Sequence, residues 1–325
     1  MQLAWGYAPT LIIESAVRHR LFDRLDDGPR SRDELAEETG NSTRGLDALL
    51  NALVGLKLLA RADGRYALTA ESAAYLVSTR PGYRGGFFHH HVRQLLPQWM
   101  HLSEVVHDGR PVRNTNRQQT GAEYFAAFVE SLFEVNRAAA ERLAAHLRLD
   151  QIPGSVSVLD VGCGSGVWSL TLAQRAGNVQ VRAVDWPPVL EVTRRMAAKL
   201  GVGERLNIAA GDFLEADLGQ GHHVATLGHI LHSEGPDRVR ALLRRSFGAL
   251  APGGVIAIQE FMPDDDRQGP PHPLIFAVNM LVNTEAGGTY TFAEIRGWLE
   301  EAGFVNARLL PVPAISPVVL ANRPQ

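Results

Sequence analysis

Apolar positions in the first 55 residues recur at helical spacing. Leu11, Ile12, Ala16, Val17, Leu21 and Leu25 fall one or four residues apart in succession and share one face of a helix. Gly28-Pro29 breaks that run. Ser31, with Glu34 three residues on, has the spacing of a capping box and opens a short helix through Leu35 and Ala36. Ser42 or Thr43 caps the next helix, which buries Leu46, Leu49, Leu50, Leu53 and Val54. Leu58 to Arg61 and Arg65 to Leu68 then flank Asp63-Gly64, a strong hairpin signal. Three helices and a hairpin predict a winged-helix domain over residues 1–95.

Residues 87–147 read as helical again, with aromatic side chains at Phe87, Phe88, Trp99, Tyr124, Phe125, Phe128 and Phe133. The part from 96 to 150 is expected to be a helical linker that contributes to a substrate pocket. From Val156 the pattern changes to short apolar strands alternating with helices, which predicts a parallel α/β sheet over residues 151–325. Strands are expected at 156–160, 180–184, 205–209, 223–228, 254–260, 304–310 and 315–321. Only Pro311-Val312-Pro313 joins the last two, too little for a helical crossover, so they should pair antiparallel.

Composition narrows the partners. The chain has 325 residues, 45% hydrophobic and 21% charged, with a net charge of -3. Nothing in that balance favours nucleic acid or an anionic membrane. Between Arg18 and Arg84, eleven Lys/Arg face ten Asp/Glu, and the would-be recognition helix from Thr43 to Gly55 carries one base, Arg44. A phosphate-contacting face needs several. A winged-helix DNA-binding regulator is therefore the lesser alternative to packing against a second subunit. The single cysteine, Cys163, permits no intrachain disulfide, and no secretory leader or membrane-length apolar run is visible, so a cytoplasmic location is expected. His89-His90-His91 cannot share a metal in a regular helix, because neighbours point about 100° apart. A role for one of them in the acceptor pocket is the better expectation. Asp264-Asp265-Asp266, in a proline-rich stretch, reads as a solvated loop, and no metal site is expected.

The strongest chemical signal is Asp160-Val161-Gly162-Cys163-Gly164-Ser165-Gly166, between an apolar strand and the helical run Val167 to Arg175. Glycines let backbone approach a ligand and present amide donors at a helix N-terminus. The spacing is GxGxG rather than the dinucleotide GxGxxG, and Asp160 would repel a pyrophosphate. It suits a cation such as the amino group of a methionine moiety. Asp185 ends the second strand, about 20 residues past the turn, where a carboxylate accepts ribose hydroxyls. Asp212, in Gly211-Asp212-Phe213, follows the third strand and suits an adenine amino group, with Phe213 beside the ring. Three acids at successive strand ends place a nucleoside at the carboxyl edge of the sheet.

Those motifs, with Asp185-Trp186-Pro187, Leu250-Ala251-Pro252-Gly253-Gly254 and Glu301-Ala302-Gly303-Phe304, resemble the class I S-adenosylmethionine-dependent O-methyltransferases. Within them the chain resembles the caffeate, hydroxyindole and polyketide-tailoring enzymes, over nearly its whole length. The resemblance implies a Rossmann-like seven-stranded methyltransferase sheet with an N-terminal α-helical winged-helix dimerisation domain, a homodimer, and a small-molecule acceptor. It implies a cofactor site at Asp160, Gly162, Gly164, Gly166, Asp185, Trp186, Gly211, Asp212, Phe213 and Gly228. His232, in Gly228-His229-Ile230-Leu231-His232, matches the family's general base. Glu260, or its neighbour Gln259, matches a glutamate that steadies it. Trp99, Met100, Phe125, Phe128, His229, Phe276 and Met280 are candidates for the acceptor pocket.

Departures from the family pattern are specific. Ser233-Glu234-Gly235-Pro236 stands where Asp-Trp commonly follows the histidine, and Gly228 replaces a frequent lysine. The second glutamate of plant members finds only Thr289 or Tyr290 after Gly287-Gly288, with Glu285 close but offset. Methylation of a hydroxyl is the leading expectation. Transfer to carbon or nitrogen, or a non-methylating reaction on the same fold, is the alternative.

Overall fold

Local signals in the N-terminal third build what they predict. The Ser31 hydroxyl accepts from the Glu34 amide and the Glu34 carboxylate accepts from the Ser31 amide, closing both ends of the box. Such caps contribute on the order of 1 kcal/mol. Asp63 and Gly64 both have positive φ, as the tight turn of a two-residue hairpin requires. We label the elements of this part α1 (Ala8–Arg18), α2 (Arg32–Thr39), α3 (Thr43–Gly55), β1 (Arg30–Ser31), β2 (Leu59–Ala62) and β3 (Arg65–Leu68). The strands form a sheet in the order β1-β3-β2, and Leu21, Leu35, Leu50, Leu53 and Tyr66 fill the core beneath them.

The structure is a computed structural model; it describes residues 3–112, 114, 115 and 118–325, and the side chains of these except 118–127. It forms two compact units, Met1–Pro97 and Gln98–Gln325. The stretch expected to be a linker thus sits largely in the second unit, where α4 (Gln118–Leu147) packs on two helices of the sheet domain. No helix among the described residues is long and apolar enough to cross a membrane.

The second unit is built on seven strands: β4 (Val156–Val161), β5 (Val179–Asp185), β6 (Leu206–Ala210), β7 (His222–Gly228), β8 (Leu250–Gln259), β9 (Val305–Leu310) and β10 (Val318–Asn322). Their order is β6-β5-β4-β7-β8-β10-β9. The first five run parallel, while β10 is antiparallel to both β8 and β9, as the short Pro311–Pro313 connection demands. The helices are α5 (Val167–Arg175), α6 (Pro187–Lys199), α7 (Pro236–Ala249), α8 (Pro271–Asn283) and α9 (Phe292–Glu301).

Both faces of the sheet are covered, which is why β4 is apolar almost throughout. Val156 and Val158 join the core under α4, α5 and α6, whereas Leu159 and Val161 join the core that contains Leu242 and Leu243 of α7 and Leu299 of α9. Strand alternation then fixes the direction of the polar residues between them. Asp160 on β4, with Thr226 and Gly228 on β7, points to the α5 side. Strand order reverses between β4 and β7, and the chain's functional groups gather at the carboxyl ends there.

Candidate active site

The turn after β4 is held in left-handed backbone at Gly162, Gly164 and Gly166. A Cβ at Gly162 or Gly166 would strike Ile230 or Leu170, so those two glycines serve packing as well. Gly164 differs: the nearest atom to a Cβ there is 3.6 Å away, and the peptide is fixed on both sides. Its amide donates to Asp185 Oδ2 at 2.9 Å, and its carbonyl accepts from Thr193 Oγ1 at 2.7 Å. The turn is thereby anchored, with the Val129 side chain in ordinary contact range of a Cβ at Gly164.

Asp185 ends β5, half-buried, and also accepts from the Trp186 amide at 2.7 Å. Burial pushes its carboxyl up to about 6, against the pull of the two amides. Two acceptances leave a carboxylate roughly two free lone-pair positions, enough for a vicinal diol. The Gly211 amide donates to the Asp185 carbonyl at 3.0 Å, which ties the end of β6 to the same point.

Asp212 has a partner that sequence reasoning missed. Arg238, on α7, donates from its Nη2 to both carboxylate oxygens, at 3.1 and 2.8 Å. The same guanidinium reaches Glu234 through Nε at 2.5 Å and lies 5.3 Å above the ring of Phe213. Phe213 is 9% exposed, with one face so covered. A basic residue 26 positions away carries no local signal of this.

Asp160 is not placed to receive a cofactor's amino group. It is fully buried; Thr226 donates to Oδ1 at 2.7 Å and Ser169 to Oδ2 at 2.6 Å. Burial raises its carboxyl to about 6. The contacts it makes are internal ones: Asp160 ties β4, β7 and the first turn of α5 together beneath the turn. Gly228 likewise offers no side chain to a ligand, because Trp168 of α5 fills its space, with Nε1 2.0 Å from where a Cβ would stand.

The base candidate lies just beyond β7. Glu260 follows β8, is 2% exposed, and accepts from the His232 amide at 3.1 Å and the Phe261 amide at 3.2 Å. Its Oε2 is 2.8 Å from His232 Nδ1. Burial would raise this carboxyl, but the imidazoles of His232 and His229 and the hydrogen bonds from His232 hold it below the usual range. Gln259, the other residue considered for this place, donates instead to the Ser316 carbonyl at 2.7 Å. An ionised Glu260 fixes the proton of His232 on Nδ1 and leaves Nε2 as the basic nitrogen.

His229 sits in left-handed backbone (φ +58) with its ring 4.6 Å from that of Phe261. Burial lowers its imidazole to about 4, so it is neutral near pH 7, and its Nδ1 is buried without a hydrogen-bond partner among the described residues. One ligand atom each from His229, His232 and Glu260 lie within 4.8 Å of one another. Glu260 already takes three donors, so this donor set fits an acid–base dyad better than a metal cage.

Of the pocket candidates, Phe276 on α8 stands edge-on to His232 at 4.9 Å, and Phe261 and His272, not foreseen, complete the aromatic cluster. Met280 is buried, and Trp99 donates from Nε1 to Asn279 Oδ1 at 2.9 Å. Phe128 is half-buried on α4. Met100 is 76% exposed and departs from its expected place in a pocket wall. The side chain of Phe125 lies outside the described residues. At the position of the second family glutamate, the buried Thr289 hydroxyl has no partner among the described residues, Tyr290 donates to the Glu234 carbonyl at 2.5 Å, and Glu285 is exposed. The three histidines at 89–91 go to separate partners, Glu14, Gln94 and the Phe87 carbonyl.

A parallel sheet with an antiparallel β10, a glycine turn and acids at successive strand ends define a class I methyltransferase. A family model described as the O-methyltransferase domain matches residues 99–305, and one described as the O-methyltransferase dimerisation domain matches residues 1–78. The chain belongs to the O-methyltransferase family and is an S-adenosylmethionine-dependent methyltransferase. It is 33% identical to the 3-hydroxy-5-methyl-1-naphthoate 3-O-methyltransferase of Streptomyces sahachiroi, over 94% of this chain and 89% of that one. It is 28% identical to the tetracenomycin polyketide synthesis 8-O-methyl transferase TcmO of Streptomyces glaucescens, over 100% and 96% of the two chains. The crystal structure of human N-acetylserotonin methyltransferase in complex with SAM superposes with a TM-score of 0.88 at 24% identity, covering 100% of this chain and 96% of that one.

Proposed function

We propose that the chain methylates a hydroxyl on an aromatic, phenolic or polyketide-type small molecule, with His232 as general base and Glu260 as its orienting partner. The observation that carries this is the doubly anchored His232–Glu260 pair at the carboxyl end of β7. When bound, S-adenosylmethionine supplies an activated methyl carbon and leaves as S-adenosylhomocysteine. The residues present fit it: Asp185 retains acceptor capacity for a ribose, and Gly164, with no side chain of its own, lets the anchored turn come close to a ligand. Asp212 and Phe213, braced by Arg238, would meet the adenine, with Gly211 and Trp186 flanking.

What remains for the protein is alignment and proton removal. Nε2 of His232 takes the hydroxyl proton as the oxygen bonds to carbon, and the Glu260 carboxylate stabilises the imidazolium. Phe261, stacked with the imidazole, and Phe276, edge-on to it, give the acceptor ring apolar surface beside His232. A methylation screen over phenols, naphthoates and polyketides, with product analysis by mass and NMR, tests the reading. Methyl groups found only on carbon or nitrogen would remove the hydroxyl assignment.

The same reading includes a homodimer formed through the N-terminal unit. The dimerisation-domain match supports it, as do the exposed Leu3, Trp5 and Tyr7 and an apolar groove between α1 and α3 lined by Ile12, Leu46, Leu49 and Ala52. Sedimentation giving only the 35.5 kDa chain mass would contradict it.

A further inference from the structure

Trp168 occupies an unusual position for an indole. It is the second residue of α5, 4% exposed, and its Nε1 lies 2.0 Å from the point where a side chain at 228 would begin. Its N–H donates to no partner among the described residues. An indole N–H ordinarily finds an acceptor, and this one keeps enough exposure for a ligand to reach it. The neighbouring polar groups do not supply one. Asp160 is already taken by Ser169 and Thr226, one strand position from Gly228 on the same face.

The order of the strands says which part of a ligand reaches this N–H, given the cofactor reading above. Asp212 follows β6, Asp185 ends β5, the glycine turn follows β4, and Gly228 ends β7, in the spatial order β6-β5-β4-β7. A nucleoside with its base at Asp212 and its ribose at Asp185 therefore extends its remaining chain over the glycine turn toward β7. That chain ends in an amino acid with one cationic and one anionic group. An N–H is a donor only, so it can serve only the anion.

We infer that Trp168 is a cofactor-binding residue whose indole N–H donates to the α-carboxylate of S-adenosylmethionine, taking over at the end of β7 the place a side chain at residue 228 would fill. The anion also meets the N-terminal end of α5, where backbone amides favour negative charge. Gly228 is then required because the indole needs its space.

Calorimetric titration of the full-length protein with S-adenosylhomocysteine and with 5′-methylthioadenosine, which lacks the amino-acid carbons, tests this. Trp168→Phe keeps the ring and removes the donor. The variant is expected to bind S-adenosylhomocysteine roughly ten- to a hundredfold more weakly, as for a bond to a charged group, and methylthioadenosine within about twofold of the wild type. Equal weakening of both ligands, or unchanged affinity for the first, overturns the assignment and leaves the methyltransferase reading intact. Wild-type protein that binds neither ligand overturns both. If the variant does not fold, the wild-type indole resonances decide. The Trp168 signal, assigned by elimination from the other four tryptophans, should shift with S-adenosylhomocysteine and not with methylthioadenosine. An equal response to both, or none, refutes it.

Discussion

Glu260 holds His232 at two points, Nδ1 at 2.8 Å and the backbone amide at 3.1 Å, so one carboxylate sets both the tautomer and the position of the ring. His232→Ala should lower kcat by roughly 10²–10⁴-fold while leaving the cofactor Kd unchanged. Glu260→Gln presents an amide that can donate to Nδ1 and so favours the proton on Nε2, where it blocks base action. Its kcat should fall by at least about 10²-fold in the same range. Single-turnover kinetics with saturating cofactor separate these losses from weak binding, and wild-type turnover in either variant would remove the pair from the mechanism.

Acid should loosen the cofactor through Asp185. Its pKa, raised to about 6 by burial, means that the carboxylate is ionised at pH 7.5 and takes up a proton as pH falls through that value. Acceptor capacity for the ribose is lost with it, so S-adenosylhomocysteine should bind several-fold more weakly at pH 5 than at pH 7.5. Binding near pH 6 should release a proton, read as a calorimetric enthalpy that varies with the buffer's ionisation heat. Asp185→Asn should bind weakly and without that pH dependence.

Gly228→Ala puts a methyl group into Trp168. With 2.0 Å between the new Cβ and Nε1, the indole must move, and overpacking of this kind costs about 1–3 kcal/mol. Chemical denaturation should show a lowered midpoint with an unchanged slope. A fully stable variant would mean that α5 shifts freely on the sheet.

Arg238→Ala removes the brace from Asp212 and the cation from Phe213. We expect a several-fold rise in the KM for cofactor with kcat nearly preserved. Stability should drop by about 1–3 kcal/mol, less than for a fully buried pair, because Arg238 is 42% exposed while Glu234 is 2%. A change confined to kcat would place Arg238 in the chemistry instead.

What could be read from the chain is what depends on near neighbours. Ser31 and Glu34 are three apart, Asp63 and Gly64 adjacent, and the GxGxG turn and its following helix are contiguous, so each states its own conformation. Asp185 and Asp212 were legible because a strand end announces where a side chain emerges. Side-chain partners brought together across the fold were not. Asp160 looked like a ligand group until Thr226, 66 residues on, proved to hold it. Arg238 meets Asp212, and Trp168 meets Gly228, only because helices on the two faces of the sheet fall over particular strands. Gln259 and Glu260 are neighbours in sequence, and only the fold shows that Glu260 reaches His232 while Gln259 reaches Ser316.

One latch links the acceptor side to the base. The Gly288 amide donates to the His232 carbonyl at 2.9 Å, a Cβ at Gly287 would lie 2.5 Å from the same oxygen, and Tyr290 donates to the Glu234 carbonyl. The segment leaving α8 is thus clamped onto the very peptide that carries the imidazole. Remodelling α8 to admit a bulkier acceptor would therefore detune proton removal at the same time. An engineer seeking a new substrate scope should vary side chains on α8 and leave residues 284–290 untouched.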